Sequence, residues 1–359
     1  MEKRPETLTG AAAAQAAGTA LLLYCRAGFE EECAEETRAR AGNSGLERAE
    51  LAPGCGYVEF RAGAGRSLPP ATLDWRRLVF ARQALTSFAR IRQLARHDRL
   101  TPILEAIAAC GWKFCDAWIE APDTEPGKEL AAFCKSFGNA LIGALRRTHL
   151  LDTGAARRLH AFFPQGDNVY LCVADPAAAA PWPSGIPRLK FPRGAPSRST
   201  LKLEEAFVTL LSADEIARWL RAGMNAVDLG AAPGGWTWQL VRRSIRVTAV
   251  DNGPMDRGLL DSGLVHHRRE DGFRYRPARP VDWLVCDMVE QPRRVAELIA
   301  RWFGAGWCRR AMFNLKLPMK KRYAETQHCL DIVRAQAGDV RAKQLYHDRE
   351  EITVFAQSS

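Results

Sequence analysis

The second half of the chain alternates short apolar runs with longer amphipathic stretches. The apolar runs, several of them rich in valine, predict buried strands at 226–229, 246–250, 281–286, 310–315 and 351–355. Helical spacing of apolar residues predicts helices at 201–211, 235–243, 292–302 and 323–336. This regular alternation favours an α/β domain with a mostly parallel sheet and helices on both faces. Ligands of such sheets bind at the carboxyl ends of the strands.

The first half has a less regular pattern. After an Ala-rich extension at 1–19, the pattern predicts a strand at 20–25, a helix at 29–41 and an alternating strand at 56–61. Further strands and helices are predicted in mixed order at 76–82, 90–92, 100–109, 113–119, 128–147 and 168–173. Such a mixture is typical of an α+β region.

A proline-rich segment separates the two halves. The stretch 176–203 contains six prolines, five basic residues and no acidic residue. Proline at this density is incompatible with a helix or a central strand, so we expect a semi-rigid basic linker. The predicted domains are an N-terminal extension (1–19), a small α+β piece (20–70), a second α+β domain (71–178), the linker (179–198) and the α/β domain (199–359).

Composition adds a charge argument and excludes several classes of protein. Lys and Arg number 51 against 41 Asp and Glu, and the net charge of +10 favours a polyanionic partner. No run of about 18 uncharged apolar residues is present, so a membrane span is not predicted. The ten cysteines include no C-x-x-C pair, which favours a cytoplasmic protein with cysteines in its core. A zinc site at Cys110 and Cys115 stays open, although no second pair matches it.

The most informative segment runs from Asp228 to Thr237, where a predicted strand leads through a glycine turn into a helix. Glycine allows backbone to approach a ligand closely, and a helix N-terminus has free N–H donors. The glycines at 230, 234 and 235 match neither G-x-G-x-x-G nor a P-loop. The segment is therefore a nucleotide-type turn of another kind.

Carboxylates follow several predicted strands. Asp251 ends the strand after the turn, where an acidic side chain can accept hydrogen bonds from both ribose hydroxyls of an adenosine ligand. Asp271 is placed to hydrogen-bond an adenine amino group. With Asp228 and Asp287 they predict an acidic pocket, which suits the sulfonium of S-adenosylmethionine (SAM) better than a pyrophosphate. The alternative is an ordinary glycine turn with surface carboxylates.

Asp287 and Lys316 each terminate an apolar strand, so both are expected at the carboxyl edge beside the glycine turn. A lysine at the end of a buried strand usually has a carboxylate partner or a function, because burying an unpaired ammonium is costly. A structural Lys–Asp pair is one interpretation. The functional interpretation is a lysine whose neutral form accepts a proton.

These residues resemble a known family. The glycine turn, Asp287, the run N-L-K-L-P-M-K-K-R-Y at 314–323 and the run 345–351 resemble the FtsJ-like ribose 2′-O-methyltransferases. More narrowly, they resemble the bacterial 23S ribosomal RNA (cytidine 2′-O)-methyltransferase M family, from about residue 22 to the C-terminus. The resemblance implies a Rossmann-like SAM-dependent methyltransferase domain, preceded by a ferredoxin-like piece and a THUMP RNA-binding domain.

The resemblance also implies site residues. Its Lys-Asp-Lys-Glu catalytic set falls on Lys202, Asp287, Lys316 and Glu350, with Lys316 as proton acceptor and no metal. Glu351 adjoins Glu350 and would point to the opposite face of a strand, and Glu350 is preferred from its pairing with arginine. The implied SAM contacts are Ser199, Ala232, Pro233, Gly234, Gly235, Asp251, Asp271 and Asp287. Ala232 departs from the family turn, which often has cysteine there, but the position contributes backbone and little effect is expected.

Basic residues indicate where an RNA would bind. The segment 75–104 contains seven arginines against the single acid Asp98. Phosphate contact is one interpretation, and a solvated protein surface is the other. The candidate RNA contacts are Arg76, Arg77, Arg82, Arg188, Lys190, Lys320, Lys321 and Arg322.

Three functions are compared at this point. The leading hypothesis is SAM-dependent 2′-O-methylation of a cytidine in 23S ribosomal RNA, used as naked or precursor RNA, with no obligatory protein partner evident. A non-catalytic RNA-binding or ribosome assembly factor on the same fold is the first alternative, although Lys316 and Asp287 are both present. A NAD-type oxidoreductase is the second alternative, and it lacks its expected G-x-G-x-x-G.

Overall fold

The computed structural model describes residues 20–42, 46–49, 52–62 and 73–358. The Ala-rich extension predicted at 1–19 lies outside these residues. The described chain forms two compact units. One unit contains the described residues within Met1–Trp75 together with Arg82–Gly185, and the other contains Arg76–Ala81 and Ile186–Ser359.

The first unit is built on one seven-stranded sheet. Its elements are β1 (Ala20–Cys25), α1 (Glu30–Ala41), β2 (Leu46–Arg48), β3 (Tyr57–Ala62), β4 (Ala81–Ile91), α2 (Leu100–Ala109), β5 (Asp116–Glu120), α3 (Glu125–Glu129), α4 (Ala131–Arg147), β6 (Arg158–Gln165) and β7 (Asn168–Ala174). The strand order is β2-β3-β1-β4-β7-β6-β5. Ile103 of α2, Leu141 of α4 and Leu159 of β6 share one apolar core, so these helices cover the sheet.

Strand β4 differs from the prediction. Two separate segments were expected at 76–82 and 90–92, but a 3-10 turn at Trp75–Arg77 is followed by one strand over Ala81–Ile91. Arg82 in this strand is only 5% exposed, and its Nη1 donates to Asp123 Oδ2 at 3.1 Å. The prediction of Arg82 as an RNA contact is therefore wrong, because its guanidinium is buried in an ion pair.

The second unit has the predicted alternation of strands and helices. Its elements are α5 (Thr200–Leu210), α6 (Ala213–Trp219), β8 (Asn225–Leu229), α7 (Gly235–Val241), β9 (Arg246–Val250), α8 (Arg257–Asp261), β10 (Val265–Arg268), β11 (Val281–Cys286), α9 (Pro292–Gly304), β12 (Cys308–Lys316), α10 (Arg322–Arg334), β13 (Asp339–Lys343) and β14 (Glu351–Gln357). The four predicted helices and five predicted strands are all present, with ends shifted by a few residues. The short elements α6, α8, β10 and β13 were not predicted.

The sheet of the second unit is parallel at its centre. Its order is β10-β9-β8-β11-β12-β14-β13, and β14 runs antiparallel to both of its neighbours. Phe207 of α5, Trp236 of α7 and Trp283 of β11 lie in one core. The adjacent strand residue Leu284 is also fully buried, which agrees with a sheet covered on both faces, as predicted.

A short segment of the N-terminal half belongs to this second unit. Arg76–Ala81 groups with it, and the Val79 carbonyl accepts a hydrogen bond from Gln344 N at 2.8 Å. Lys343 Nζ donates to the Ala81 carbonyl at 2.5 Å. Arg76 and Arg77 therefore belong to the unit that contains β8–β14, although the predicted boundaries placed them in the 71–178 domain.

The ten cysteines are all free, and seven of them are buried. Within the described ranges, no group of three or more His, Cys, Asp or Glu side chains could hold a metal ion, at Cys110 and Cys115 or elsewhere. No helix in this part of the chain is long and apolar enough to cross a membrane. The cytoplasmic location predicted from the cysteines stays a prediction.

Candidate active site

The glycine turn joins β8 to α7. Gly230 and Gly234 have positive φ angles of 75° and 117°, a region that glycine enters without strain. A Cβ on Gly230 would lie 2.6 Å from Met288 Cγ. The turn thus packs directly against the residue that follows Asp287, and a side chain at Gly230 would push the two apart.

The start of α5 lies over the same turn. A Cβ on Gly235 would lie 2.1 Å from Ser199 Oγ and 2.3 Å from Ser197 Oγ. Thr200 Oγ1 donates to the Gly235 carbonyl at 2.6 Å. These contacts fix the beginning of α5 against α7, and Lys202 lies in the first turn of α5.

Asp251 and Asp271 hold backbone N–H groups after β9 and β10. Asp251 Oδ2 accepts from Ala232 N at 3.0 Å and Oδ1 accepts from Gly253 N at 2.7 Å. Asp271 Oδ1 accepts from Phe273 N at 2.9 Å, and its side chain is half-exposed. A carboxylate oxygen has a second lone pair, so both residues can also accept hydrogen bonds from a ligand.

Asp228 is buried next to the turn, where it is 1% exposed. Its Oδ2 accepts a hydrogen bond from Thr237 Oγ1 at 2.6 Å, whereas no described residue hydrogen-bonds Oδ1. Burial raises the pKa of Asp228, the Thr237 hydrogen bond opposes this rise and the Asp287 charge adds to it, so that the pKa reaches about 7. A buried carboxylate oxygen without a partner is costly and favours a cationic group nearby.

These features fit SAM. At Gly230 and Gly235 the backbone packs so closely against Met288 and Ser199 that a Cβ would collide with them, so the glycines hold the turn at the carboxyl ends of the strands, where ligands of such sheets bind. The carboxylates of Asp228, Asp251 and Asp287 suit a ligand that carries ammonium and sulfonium charges. An anionic pyrophosphate would be repelled by the same groups.

Four side chains form a closed ring of ion pairs beside the turn. Lys202 Nζ donates to Glu351 Oε1 at 2.5 Å and to Asp287 Oδ2 at 3.3 Å. Lys316 Nζ donates to Asp287 Oδ1 at 3.2 Å and to Glu351 Oε2. Each carboxylate therefore uses one oxygen for each lysine, and two formal positive charges face two formal negative charges.

The sheet topology explains how these four residues meet. Asp287 directly follows β11, and Lys316 is the last residue of the neighbouring strand β12. Because β14 is antiparallel to β12, its first residue, Glu351, lies opposite Lys316. Lys202 reaches the same point from α5. The structure thus brings together three of the four residues predicted for the catalytic set.

The fourth residue of the ring is Glu351, and Glu350 lies outside it. The Glu351 side chain is 5% exposed within the ring, whereas the Glu350 side chain is 62% exposed and lies 2.8 Å from Arg322 Nη2. Successive side chains point to opposite faces of a strand, so only one of two adjacent glutamates can face the lysines. Ile352 and Val354 are as fully buried as Thr353 and Phe355, so burial along β14 favours neither glutamate, and the pairing of Glu351 with Lys316 decides between them.

Charge coupling keeps two members of the ring, Lys202 and Glu351, ionised. Burial lowers the pKa of Lys202, but the Asp287 and Glu351 carboxylates together outweigh it, so this pKa lies above the usual lysine value. Burial raises the pKa of Glu351, and the Lys202 and Lys316 ammonium groups overcome that effect, so its pKa lies below the usual glutamate value. Lys202 is therefore protonated and Glu351 ionised near neutral pH.

The candidate RNA contacts differ in accessibility. Lys190, Lys320 and Lys321 are exposed. Arg188 is exposed and its guanidinium carbon lies 4.9 Å from the ring centroid of Tyr346. The Arg322 side chain is 18% exposed and forms an ion pair with Glu350. Arg322 is therefore less accessible to a phosphate than Lys320 and Lys321. Arg76 and Arg77 are exposed at the 3-10 turn.

The sequence profiles of three families match the chain. The RlmM ferredoxin-like domain matches residues 19–85, and the N-terminal region of ribosomal RNA large subunit methyltransferase M matches residues 98–175. The FtsJ-like methyltransferase family matches residues 195–305, which include the glycine turn, Lys202 and Asp287. The second unit is therefore an FtsJ-like methyltransferase domain.

Full-length similarity narrows the class to one family. The ribosomal RNA large subunit methyltransferase M of Stenotrophomonas maltophilia (strain K279a) is 53% identical over 346 residues, covering 94% of this chain and 97% of that protein. The protein of the same name from Xanthomonas campestris pv. campestris (strain B100) is 54% identical over 343 residues, covering 94% and 98%. The chain belongs to the ribosomal RNA large subunit methyltransferase M family.

Family membership tests several of the predictions. It confirms the family itself, the α/β methyltransferase fold, the class of enzyme and SAM as the cofactor. The NAD-type oxidoreductase and the non-catalytic RNA-binding protein are not favoured.

Proposed function

We propose that this protein transfers a methyl group from SAM to the 2′-hydroxyl of a cytidine in 23S ribosomal RNA, with Lys316 as the proton acceptor. The observation that carries the proposal is the ring of Lys202, Asp287, Lys316 and Glu351 beside the glycine turn. The choice of large-subunit RNA is supported by the names of the full-length relatives. The choice of cytidine rests on the resemblance to the family.

SAM, when bound, supplies an electrophilic methyl group on a sulfonium. In this chain its adenosine would be held by Asp251 at the ribose hydroxyls and by Asp271 at the adenine amino group. The backbone of Ala232, Pro233, Gly234 and Gly235 would line the ligand, together with Ser199. Asp287 would lie at the boundary between the cofactor and the ion-pair ring, because Met288 packs on Gly230.

A ribose hydroxyl is a poor nucleophile at neutral pH, so its proton must be accepted as the new carbon–oxygen bond forms. Lys316 Nζ in its neutral form takes that proton. Its side chain is 27% exposed, against 17% for Lys202, so Lys316 is the more accessible of the two amines to a substrate. Protonated Lys202 and the two carboxylates hold Lys316 in place and balance the charge that it gains.

The RNA would approach over the carboxyl edge of the sheet in the second unit. Lys320 and Lys321 follow the Lys316 strand, and the loops after Asp287 and Lys316 present the exposed apolar side chains Val289 and Met319, which are 89% and 92% exposed. Exposed cations bind phosphates, and apolar side chains can pack on an unstacked base. Arg76, Arg77, Arg188 and Lys190 extend the basic set, and the region 71–178 would serve as the RNA-binding domain.

The test uses purified full-length protein, radiolabelled SAM, and 23S ribosomal RNA as a naked transcript and as a precursor particle. We expect label in a 2′-O-methylcytidine, identified by mass spectrometry of nuclease digests. Lys316→Met should abolish transfer while SAM still binds by calorimetry, and Arg334→Met, at an exposed arginine that pairs with Asp331 in the last turn of α10, should transfer at the wild-type rate. Label on a base, or full activity of Lys316→Met, would refute the assignment.

A further inference from the structure

A chain of buried polar groups leads away from the ion-pair ring. Asn314 Nδ2 donates to Asp287 Oδ1 at 2.9 Å, and Asn314 Oδ1 accepts from Thr353 Oγ1 at 2.7 Å. Thr353 Oγ1 lies 3.2 Å from Asp348 Oδ1 and 3.1 Å from Asp348 Oδ2. Asn314, Thr353 and Asp348 are each 0% exposed, so bulk solvent does not reach these three side chains.

The number of protons fixes the direction of these bonds. A threonine hydroxyl has one hydrogen, and the short contact with Asn314 Oδ1 uses it. The contact between Thr353 and Asp348 then needs a hydrogen from Asp348. Since Leu345 N donates to Asp348 Oδ2 at 3.0 Å, the carboxyl hydrogen belongs on Oδ1, facing Thr353.

The reverse arrangement is unfavourable. If an ionised Asp348 accepted the threonine hydrogen, Asn314 would have to turn its amide and donate to Thr353. Its carbonyl oxygen would then face Asp287 Oδ1 at 2.9 Å, and two acceptors would repel each other without a hydrogen between them. Burial also raises the pKa of Asp348 well above the usual aspartate value, and the Glu351 charge raises it further.

We propose that Asp348, as a neutral carboxylic acid, and Thr353 are positioning residues that orient Asn314, so that its amide donates to Asp287 in the ion-pair ring. All hydrogens in this chain then point from Asp348 toward Asp287. One oxygen of Asp287 receives hydrogen bonds from both Asn314 and Lys316, so this chain fixes the carboxylate that holds the proton acceptor. The proposal rests on the function proposed above, which it deepens.

The loop that carries Asp348 is itself fastened to α5. Glu205 of α5 is 2% exposed and accepts from Tyr346 N at 2.7 Å and from His347 N at 2.9 Å. The helix that places Lys202 therefore also holds the segment before β14. Helix α5 thus fixes the position of Lys202 directly and that of Asp348 through Glu205.

Thr353→Val is the decisive variant, because it keeps the shape and removes the hydroxyl. We expect kcat for methyl transfer to fall about tenfold, the scale of one lost hydrogen bond, with the KM for RNA and the Kd for SAM unchanged. The single variants Thr353→Ser and Asp348→Asn should each keep kcat within about threefold of wild type, because a serine hydroxyl and an asparagine amide can donate the same hydrogen bonds. If Asp348 acted through a negative charge, kcat would fall as far in Asp348→Asn as in Thr353→Val. That result would overturn the proposal.

Thr326→Val is the matched control. Thr326 is a buried threonine of α10, 1% exposed, and no described residue hydrogen-bonds its Oγ1. This variant should keep the wild-type kcat, and a loss equal to that of Thr353→Val would show that the effect is general destabilisation of the core.

A second measurement does not depend on activity. The infrared difference spectrum between wild type and Asp348→Asn at pH 7 should contain the carbonyl band of a protonated carboxylic acid, and a carboxylate band in its place would refute the neutral Asp348. Retained activity of Lys316→Met would instead refute the proposed catalytic role of Lys316. If Lys316→Met abolishes methyl transfer as expected but Thr353→Val keeps the wild-type kcat, only the positioning chain would be refuted.

Discussion

Lys316 and Glu351 lie directly opposite each other on the antiparallel strands β12 and β14, and their charged groups are in contact. The pair closes the ring through Asp287 and Lys202, and it is the only one of the ring's contacts made between two strands in register. Directly paired residues on one face of a sheet have fixed separation. The sheet itself therefore sets the position of the proposed proton acceptor.

Glu351→Gln should reduce methyl transfer by about 100-fold, at the lower end of what a positioned base contributes. The substitution leaves two lysines facing a single carboxylate, so neither amine keeps its position or its charge balance. Single-turnover transfer of radiolabelled methyl groups measures this effect. Glu350→Gln is the matched control and should retain activity within about threefold, because its side chain lies outside the ring beside Arg322. Equal losses in the two variants would contradict the assignment.

Gly235→Ala should weaken SAM binding at least tenfold. The new Cβ would lie 2.1 Å from Ser199 Oγ and 3.1 Å from the backbone nitrogen of Thr200, so the start of α5 must move away from the glycine turn. Calorimetric titration of SAM measures the loss, and denaturant unfolding reports stability. Gly143→Ala in α4, whose Cβ would come no nearer than 3.5 Å to another residue's atoms, should leave SAM affinity unchanged. Helix propensity should make that control up to about 1 kcal/mol more stable. Unchanged affinity in Gly235→Ala would contradict the placement of the cofactor.

Much of the site follows from strand ends in the sequence. Asp287 and Lys316 terminate apolar runs, and parallel strands bring their carboxyl ends to one edge, so their meeting could be predicted without a structure. The glycine turn was located in the same way. The position of Lys202 depended on the resemblance to the family, because a lysine in an amphipathic helix carries no signal of its own.

Errors arose where pairing between distant segments decides the outcome. The choice between Glu350 and Glu351 depends on the register of β14 against β12, which a single sequence does not contain. The arginine-rich segment 75–104 predicts a basic surface that includes Arg82, but the partner of Arg82, Asp123, lies 41 residues away, so the burial of Arg82 cannot be read from its neighbours in sequence. The Asn314–Thr353 contact was missed for the same reason.

Asp228→Asn should make the ligand-free protein more stable above neutral pH. An acid whose folded pKa is about 7 and whose unfolded pKa is about 3.9 binds more protons in the folded state between these values. Stability therefore falls as pH rises from about 4 to about 7, and levels off above that. Asparagine does not titrate, so the variant avoids this loss of stability, which amounts to about 4 kcal/mol at most for three pKa units. The asparagine oxygen still accepts the hydrogen bond from Thr237.

Urea unfolding at pH 5 and pH 8 measures the difference in stability between wild type and Asp228→Asn. Asp331→Asn, at an exposed carboxylate, should not change it, and the same pH dependence in Asp228→Asn as in wild type would contradict the prediction.

Lys320→Gln should weaken RNA binding and flatten its dependence on salt. Each phosphate contact releases counterions, so loss of one contact lowers the slope of log affinity against log salt by about 0.7–0.9. Lys320 is exposed, four residues after Lys316 in the loop before α10, so its amine can reach a backbone phosphate near the reacting ribose. Filter binding of a 23S ribosomal RNA fragment at several salt concentrations measures the slope, and the Kd for SAM should not change. Arg334→Gln removes the same charge at the far end of α10, where Arg334 pairs with Asp331 at 2.9 Å, and should keep the wild-type slope. Identical slopes for Lys320→Gln and Arg334→Gln would place the RNA elsewhere on the protein.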